Sequence, residues 1–109
     1  MSDFYCENIF SGKIEITTVK ETENILAFYH TKPSWTIHIV IVPKEHIKTF
    51  TDANTKILGE IMSVAQDIIK SLKLDKSNYK LIVNGGSFQD SEHLHFHLVS
   101  GKRGIDLGE

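Results

Sequence analysis

Apolar residues alternate with polar ones in several short runs of this chain, and in one long run they recur every third or fourth position. The segment "KIEITTVKET" alternates Ile14 and Ile16, then Val19, and predicts a first strand. "ILAFYHT", Ile25 to Thr31, predicts a second strand, closed by Lys32-Pro33. "TIHIVIVPK", Thr36 to Lys44, is rich in β-branched residues and nearly apolar throughout, which predicts a central strand covered on both faces, with His38 as its polar exception. "KEHIKTF" predicts a short turn of helix, and a long helix is expected from Thr51 or Asp52, either of which can cap it. On that helix Leu58, Ile61, Met62, Ala65, Ile68, Ile69 and Leu72 form an apolar face, widened by Ile57 and Val64. So wide a face hints at self-association. "YKLIVNGG" predicts a fourth strand from Tyr79 to Asn84, and "HLHFHLVS" a last one. Strands on either side of one long helix define an α+β class with a mainly antiparallel sheet.

The last run is chemically unusual. It places His93, His95 and His97, three of the six histidines, on one strand face, with Leu94, Phe96 and Leu98 on the other. Neutral imidazole is a base, a nucleophile and a metal ligand, and it is the side chain that ordinarily changes charge near neutral pH. A purification tag would be contiguous and terminal. A single metal ion is a stronger rival, but the outer pair lies about 13 Å apart along an extended chain, and Zn–N bonds of ~2.1 Å cannot bridge that span. At most two of the three could serve one ion. Just upstream, Asn84-Gly85-Gly86-Ser87 offers a tight turn whose adjacent amides can form a nest for phosphate oxygens.

Composition narrows the partners. With 109 residues the chain is expected to be one domain, 1–109, with one modest core. A net charge of −2 without a basic block disfavours long nucleic acids. The lone Cys6 excludes an intrachain disulfide and fits a reducing compartment. Residues 1–10 carry Asp3 and Glu7, unlike a signal peptide, and "TIHIVIV" is too short to span a bilayer, so no membrane partner and a cytoplasmic location are expected.

The motif "HLHFHLV" resembles the signature of the histidine triad (HIT) family of nucleotide hydrolases and transferases. "ILAFYHTKPSWTIHIVIVPKEHI" and "YKLIVNGG" are similar to further stretches of that family at matching spacings, so the resemblance covers nearly the whole chain and points to the small HINT-like branch. It implies a HIT-like fold of about five strands, one long helix and a short helix, and a homodimer. It also implies an enzyme that attacks the α-phosphate of a nucleoside 5′-phosphoramidate or dinucleoside polyphosphate through a nucleotidyl-histidine, releasing a nucleoside monophosphate. No cofactor or metal is expected.

On that resemblance His95 is the nucleophile, His97 and His38 contact phosphate and manage protons, and His93 buttresses His95. A transferase branch carries Gln where this chain has His97, so hydrolysis is favoured. Asn84 and Gln89 are supporting polar residues, with Gly86 and Ser87 in the phosphate-binding turn. Phe4, Tyr5, Ile9 and Phe28 line the pocket for a base, expected to be a purine, and its ribose.

The chain also departs from the family pattern. His30 replaces an Asp that holds the ribose hydroxyls in many members, and Asp90 replaces a Ser or Thr. Asp90 either repels phosphate or, with a raised pKa, serves as proton donor to a leaving amine. The loop from Asn84 to His93 is about two residues shorter than in the commonest branch. Some members build a zinc site from a Cys-x-x-Cys pair; here the first position is Asp3, so structural zinc is not expected, although His46 occupies a position those members use. These departures motivate a second reading, a catalytically weak nucleotide-binding regulatory module. A third is a metalloenzyme joining two triad histidines with His38.

Overall fold

The computed structural model describes residues 3–103. Its centre is a five-stranded sheet built from β1 (Thr18–Glu21), β2 (Ile25–Tyr29), β3 (Trp35–Pro43), β4 (Lys80–Val83) and β5 (Phe96–Arg103). The strand order is β1-β2-β3-β5-β4, and every neighbouring pair is antiparallel. One long helix, α1 (Thr55–Ser71), and short helical turns complete the α+β fold.

The nearly apolar β3 is central because both its faces are covered. Ile39 and Ile41 point to one side, where they join Ile25, Ala27, Phe96 and Leu98 against Ile57, Ile61, Val64, Ala65 and Ile68 of α1. Val40 and Val42 point to the other, where Leu26 and Phe28 pack with Tyr5 and Ile9 from the N-terminal turn Tyr5–Ile9. Helix and N-terminal turn thus sandwich the sheet. Most of the broad apolar face of α1 is buried within the chain, while Leu58, Met62 and Ile69 at its margin are half-buried and Leu72 is exposed, so part of that face stays uncovered in one copy.

Several boundaries differ from the sequence expectation, each for a local reason. Ile14 and Ile16 precede β1 and pack against the second core, because the chain first closes a turn in which the Ile14 amide donates to the Asn8 carbonyl. "KEHIKTF" is not helical; its last residue, Phe50, opens a short 3-10 turn, Phe50–Asp52. Neither Thr51 nor Asp52 caps α1. The Asp52 carboxylate instead accepts from the Thr49 hydroxyl at 2.8 Å, and the cap is Asn54, whose Oδ1 accepts from the Ile57 amide at 2.9 Å. Replacing Asn54 with Ala should cost about 1 kcal/mol in urea unfolding at neutral pH. An equal loss from Asp52→Ala with none from Asn54→Ala would contradict this assignment.

Candidate active site

The alternation in "HLHFHLVS" sorts its side chains between the two cores. Leu94, Phe96 and Leu98 enter the helix-side core, whereas His93 and His95 face the ring of Tyr5, with centroids 5.6 and 5.1 Å away. Only His97 belongs to β5; His93 and His95 precede the strand, where Leu94 donates its amide to the Ile47 carbonyl at 2.6 Å. Outside the ladder the His93 carbonyl is free to accept from the His95 ring.

Hydrogen-bond partners fix the tautomers. Nδ1 of His95 lies 2.8 Å from the His93 carbonyl oxygen, which can only accept, so Nδ1 carries the proton and Nε2 presents its lone pair. Beside β5, the Ser34 amide donates to Nδ1 of His38 at 3.0 Å, so His38 carries its proton on Nε2 and donates it to Nδ1 of His97 at 2.8 Å. His97 is thereby left with an Nε2 proton. In the same way the Lys32 amide donates to Nδ1 of His30 at 2.9 Å, leaving His30 with an Nε2 donor.

His93 is fully buried. Its Nε2 donates to the Pro43 carbonyl at 2.7 Å, and its Nδ1 lies 2.9 Å from Asp3 Oδ2 and 3.6 Å from the Cys6 thiol, which can donate to it. Burial alone would raise the Asp3 pKa, but the Cys6 amide and thiol and the His93 ring outweigh it and hold the carboxyl at about 2. Asp3 was not expected here. It lies 90 residues from His93 in sequence, and nothing local marks it.

Burial, reinforced by mutual repulsion of their would-be charges, lowers the pKa of His38 to about 3 and of His97 to about 4. His30 shifts the same way from burial, partly offset by Asp90. Stability follows with a definite sign. The unfolded rings take protons as pH falls through about 6.5 while the folded ones stay neutral, so stability is full above pH 6.5 and is lost toward pH 4. Urea unfolding should lose on the order of 2 kcal/mol between pH 7 and 5. A His38→Asn, His97→Asn variant losing as much as wild type over that interval would contradict the assignment.

A cavity of about 470 Å³ lies beside these rings. Phe4, Tyr5, Ile14, Phe28 and Val40 form an apolar end, and His30, Thr31, Lys32, Asp90 and Ser91 a polar one. His95 sits behind it, 3% exposed, with Asp90 Oδ1 at 3.3 Å from Nε2. The Asp90 side chain is 85% exposed and can turn outward, which opens Nε2 to the cavity.

The structure groups Phe4, Tyr5, Phe28, His30 and Asp90 around this cavity, with His93 and His95 behind the ring of Tyr5 and His38 and His97 beside that of His30. The remaining sequence candidates lie elsewhere. Ile9 is a core residue of the N-terminal turn. Gln89 is buried, and its amide donates to the Lys48 and Ser91 carbonyls, so it braces the loop. Asn84 and Gly86 line a separate depression with Thr49, Phe50 and Thr51, and Ser87 is exposed. The turn is closed by the amides of Phe88 and Gln89, which donate to the Gly85 and Gly86 carbonyls.

Among the described residues, two groups of side chains have metal-compatible spacing. Asp3, Cys6, His46 and His93 bring one ligand atom each within 4.8 Å of one another, as do His30, His38 and His97. The first set offers the mixed oxygen, sulfur and nitrogen donors that zinc accepts. Without a cation its thiol is protonated at neutral pH, because burial and the Asp3 carboxylate raise the Cys6 pKa to about 11. The second set contains one triad histidine with His38, where the metalloenzyme reading required two.

A family model described as HIT domain matches residues 11–104. The chain is 30% identical over 99 residues to a HIT-like protein of Helicobacter pylori, spanning 89% of this chain and 95% of that one. It is 30% identical over 109 residues to the adenosine 5′-monophosphoramidase of Candida albicans, spanning 93% of this chain and 71% of that protein. A HIT family hydrolase from Legionella pneumophila Philadelphia 1 has a similar structure, with a TM-score of 0.83 at 34% identity, over 93% of this chain and 94% of that one. A histidine triad protein from Clostridium difficile gives 0.81 at 34% identity, over 92% and 90%.

Proposed function

The chain belongs to the HIT domain family, and on that premise we propose that it hydrolyses a nucleoside 5′-phosphoramidate or a dinucleoside polyphosphate at the α-phosphorus through His95. The observation that carries this reading is the hydrogen bond from His95 Nδ1 to the His93 carbonyl, which leaves Nε2 as a neutral nucleophile beside the cavity. The named activity of the Candida albicans relative points the same way.

In the first step the base occupies the apolar end and the α-phosphoryl group displaces Asp90 from Nε2. The lone pair of Nε2 forms a bond to phosphorus as the bond to the leaving group breaks. Asp90, entering the step as the carboxylic acid, delivers its proton to the departing amine or phosphate. The His97 Nε2 proton hydrogen-bonds a phosphoryl oxygen while His38 holds the ring in that tautomer. In the second step water attacks phosphorus, Asp90 accepts its proton, and the P–N bond to His95 breaks to release a nucleoside monophosphate. Each step is an in-line displacement whose charge is met by protein donors.

A homodimer and a cytoplasmic location remain expectations of this reading; sedimentation velocity at micromolar concentration tests the first. The described residues contain no helix long and apolar enough to cross a membrane. Turnover in 18O-labelled water tests the chemistry. The label should appear in the nucleoside monophosphate, and label found only in the leaving group would overturn attack at the α-phosphorus.

A further inference from the structure

The group of His30, His38 and His97 has the spacing of a metal site, yet its hydrogen bonds give it the opposite polarity. Main-chain amides of Lys32 and Ser34 occupy Nδ1 of His30 and His38, and His38 occupies Nδ1 of His97. A neutral imidazole has one lone pair, and all three are taken. What the group shows outward is N–H. Thr31 and Lys32 continue the same rim of the cavity with a hydroxyl and an ammonium, and among the described residues Lys32 makes no ion pair.

Geometry decides which part of a ligand meets this rim. With the base against Phe4, Tyr5, Ile14, Phe28 and Val40 and the 5′-phosphorus at His95, the sugar bridges the two, and its remaining edge faces His30, Thr31 and Lys32. Two bare hydroxyls offer such a wall only weak acceptors. A phosphate offers three strong acceptor oxygens and a charge that matches Lys32. Among the described residues Asp90 is the one carboxylate lining the cavity; its side chain is 85% exposed at the mouth and can turn away from the rim toward solvent.

We propose that His30, Thr31 and Lys32 form a subsite for a phosphate on the sugar, so that the preferred substrate is a nucleotide phosphorylated at its 2′ or 3′ oxygen as well as at the 5′ position. The proposal rests on the placement of base and 5′-phosphate in the preceding reading. His30 is then a donor that selects the second phosphate, aided by the mobile charge of Lys32.

Calorimetry with adenosine 5′-monophosphate and its 2′-phospho and 3′-phospho derivatives tests it on the intact chain. One of the two bisphosphates should bind about tenfold or more tightly than the monophosphate, and which one reports the sugar oxygen that faces the rim. His30→Asp and Lys32→Glu should each reduce that ratio toward one, whereas Lys76→Glu, distant from the cavity, should preserve it. Equal affinities for all three ligands, or a preference that survives both rim variants, would overturn the subsite. Turnover of the corresponding 5′-phosphoramidates separates the two claims. Normal turnover with equal affinities defeats the subsite alone, while a bisphosphate preference without turnover defeats the hydrolase reading and leaves the subsite standing.

Discussion

Replacing His95 with Ala should lower turnover of an adenosine 5′-phosphoramidate by about 10⁴-fold or more, because it removes the atom that forms the covalent bond to phosphorus. The loss must be separable from damage to the fold, since His95 is buried and its Nδ1 satisfies the His93 carbonyl. His95→Asn makes that separation. Its side-chain amide can keep the hydrogen bond to His93 but has nothing at the position of Nε2. Both variants should be equally inactive, and His95→Asn should retain the unfolding midpoint and the affinity for nucleoside monophosphate. Activity within tenfold of wild type in either variant would show that another group attacks.

Asp90→Asn should have the second largest effect, and its size should depend on the leaving group. An amide cannot deliver a proton to the leaving group as a carboxylic acid at Asp90 would, so a substrate that expels a basic alkylamine should slow by about 10²-fold. A substrate that expels a good leaving group such as nitrophenolate needs no proton and should slow much less. This contrast comes from the 3.3 Å approach of Asp90 to Nε2 and its exposure at the cavity. Equal slowing of both substrates would mean that Asp90 orients the loop without handling protons. A faster reaction in the variant would mean that the carboxylate mainly repels phosphate.

Much of the fold is legible in the sequence because the signals are local and periodic. The unbroken β-branched run of β3 reports burial on both faces, and the spacing of Ile57, Ile61, Val64, Ala65 and Ile68 reports the face of α1. The alternation of His93, His95 and His97 with leucine and phenylalanine correctly sorts those side chains between two environments, although only His97 lies within β5. Element ends are less legible, since Thr51, Asp52 and Asn54 are all competent caps and only the hydrogen bond from Thr49 to Asp52 separates them.

The site is legible in part. Residue type suggests what His95 and Asp90 can do, but the partners that assign each proton come from the main chain and from distant segments. Ser34 orients His38, Lys32 orients His30, and Asp3 meets His93 across nearly the whole sequence. No periodicity encodes such contacts. For the same reason the glycine pair beside Asn84 reads as a phosphate nest in sequence, while the fold sets Asn84, Gly85 and Gly86 in a depression separate from the cavity beside His30. Gln89 likewise carries a polar side chain suited to a ligand and uses it on the backbone.

The central claim is that the tautomer imposed by the His93 carbonyl makes His95 Nε2 the nucleophile. Intact-mass spectrometry after rapid quench of the protein with an adenosine 5′-phosphoramidate into alkaline denaturant tests it most directly, followed by peptide mapping of any adduct at alkaline pH. The account predicts a transient gain of one adenylyl group, acid-labile as a phosphoramidate bond should be, located on His95 and absent from His95→Asn. An adduct on another residue, or turnover by wild-type protein with no adduct at any quench time, would contradict it.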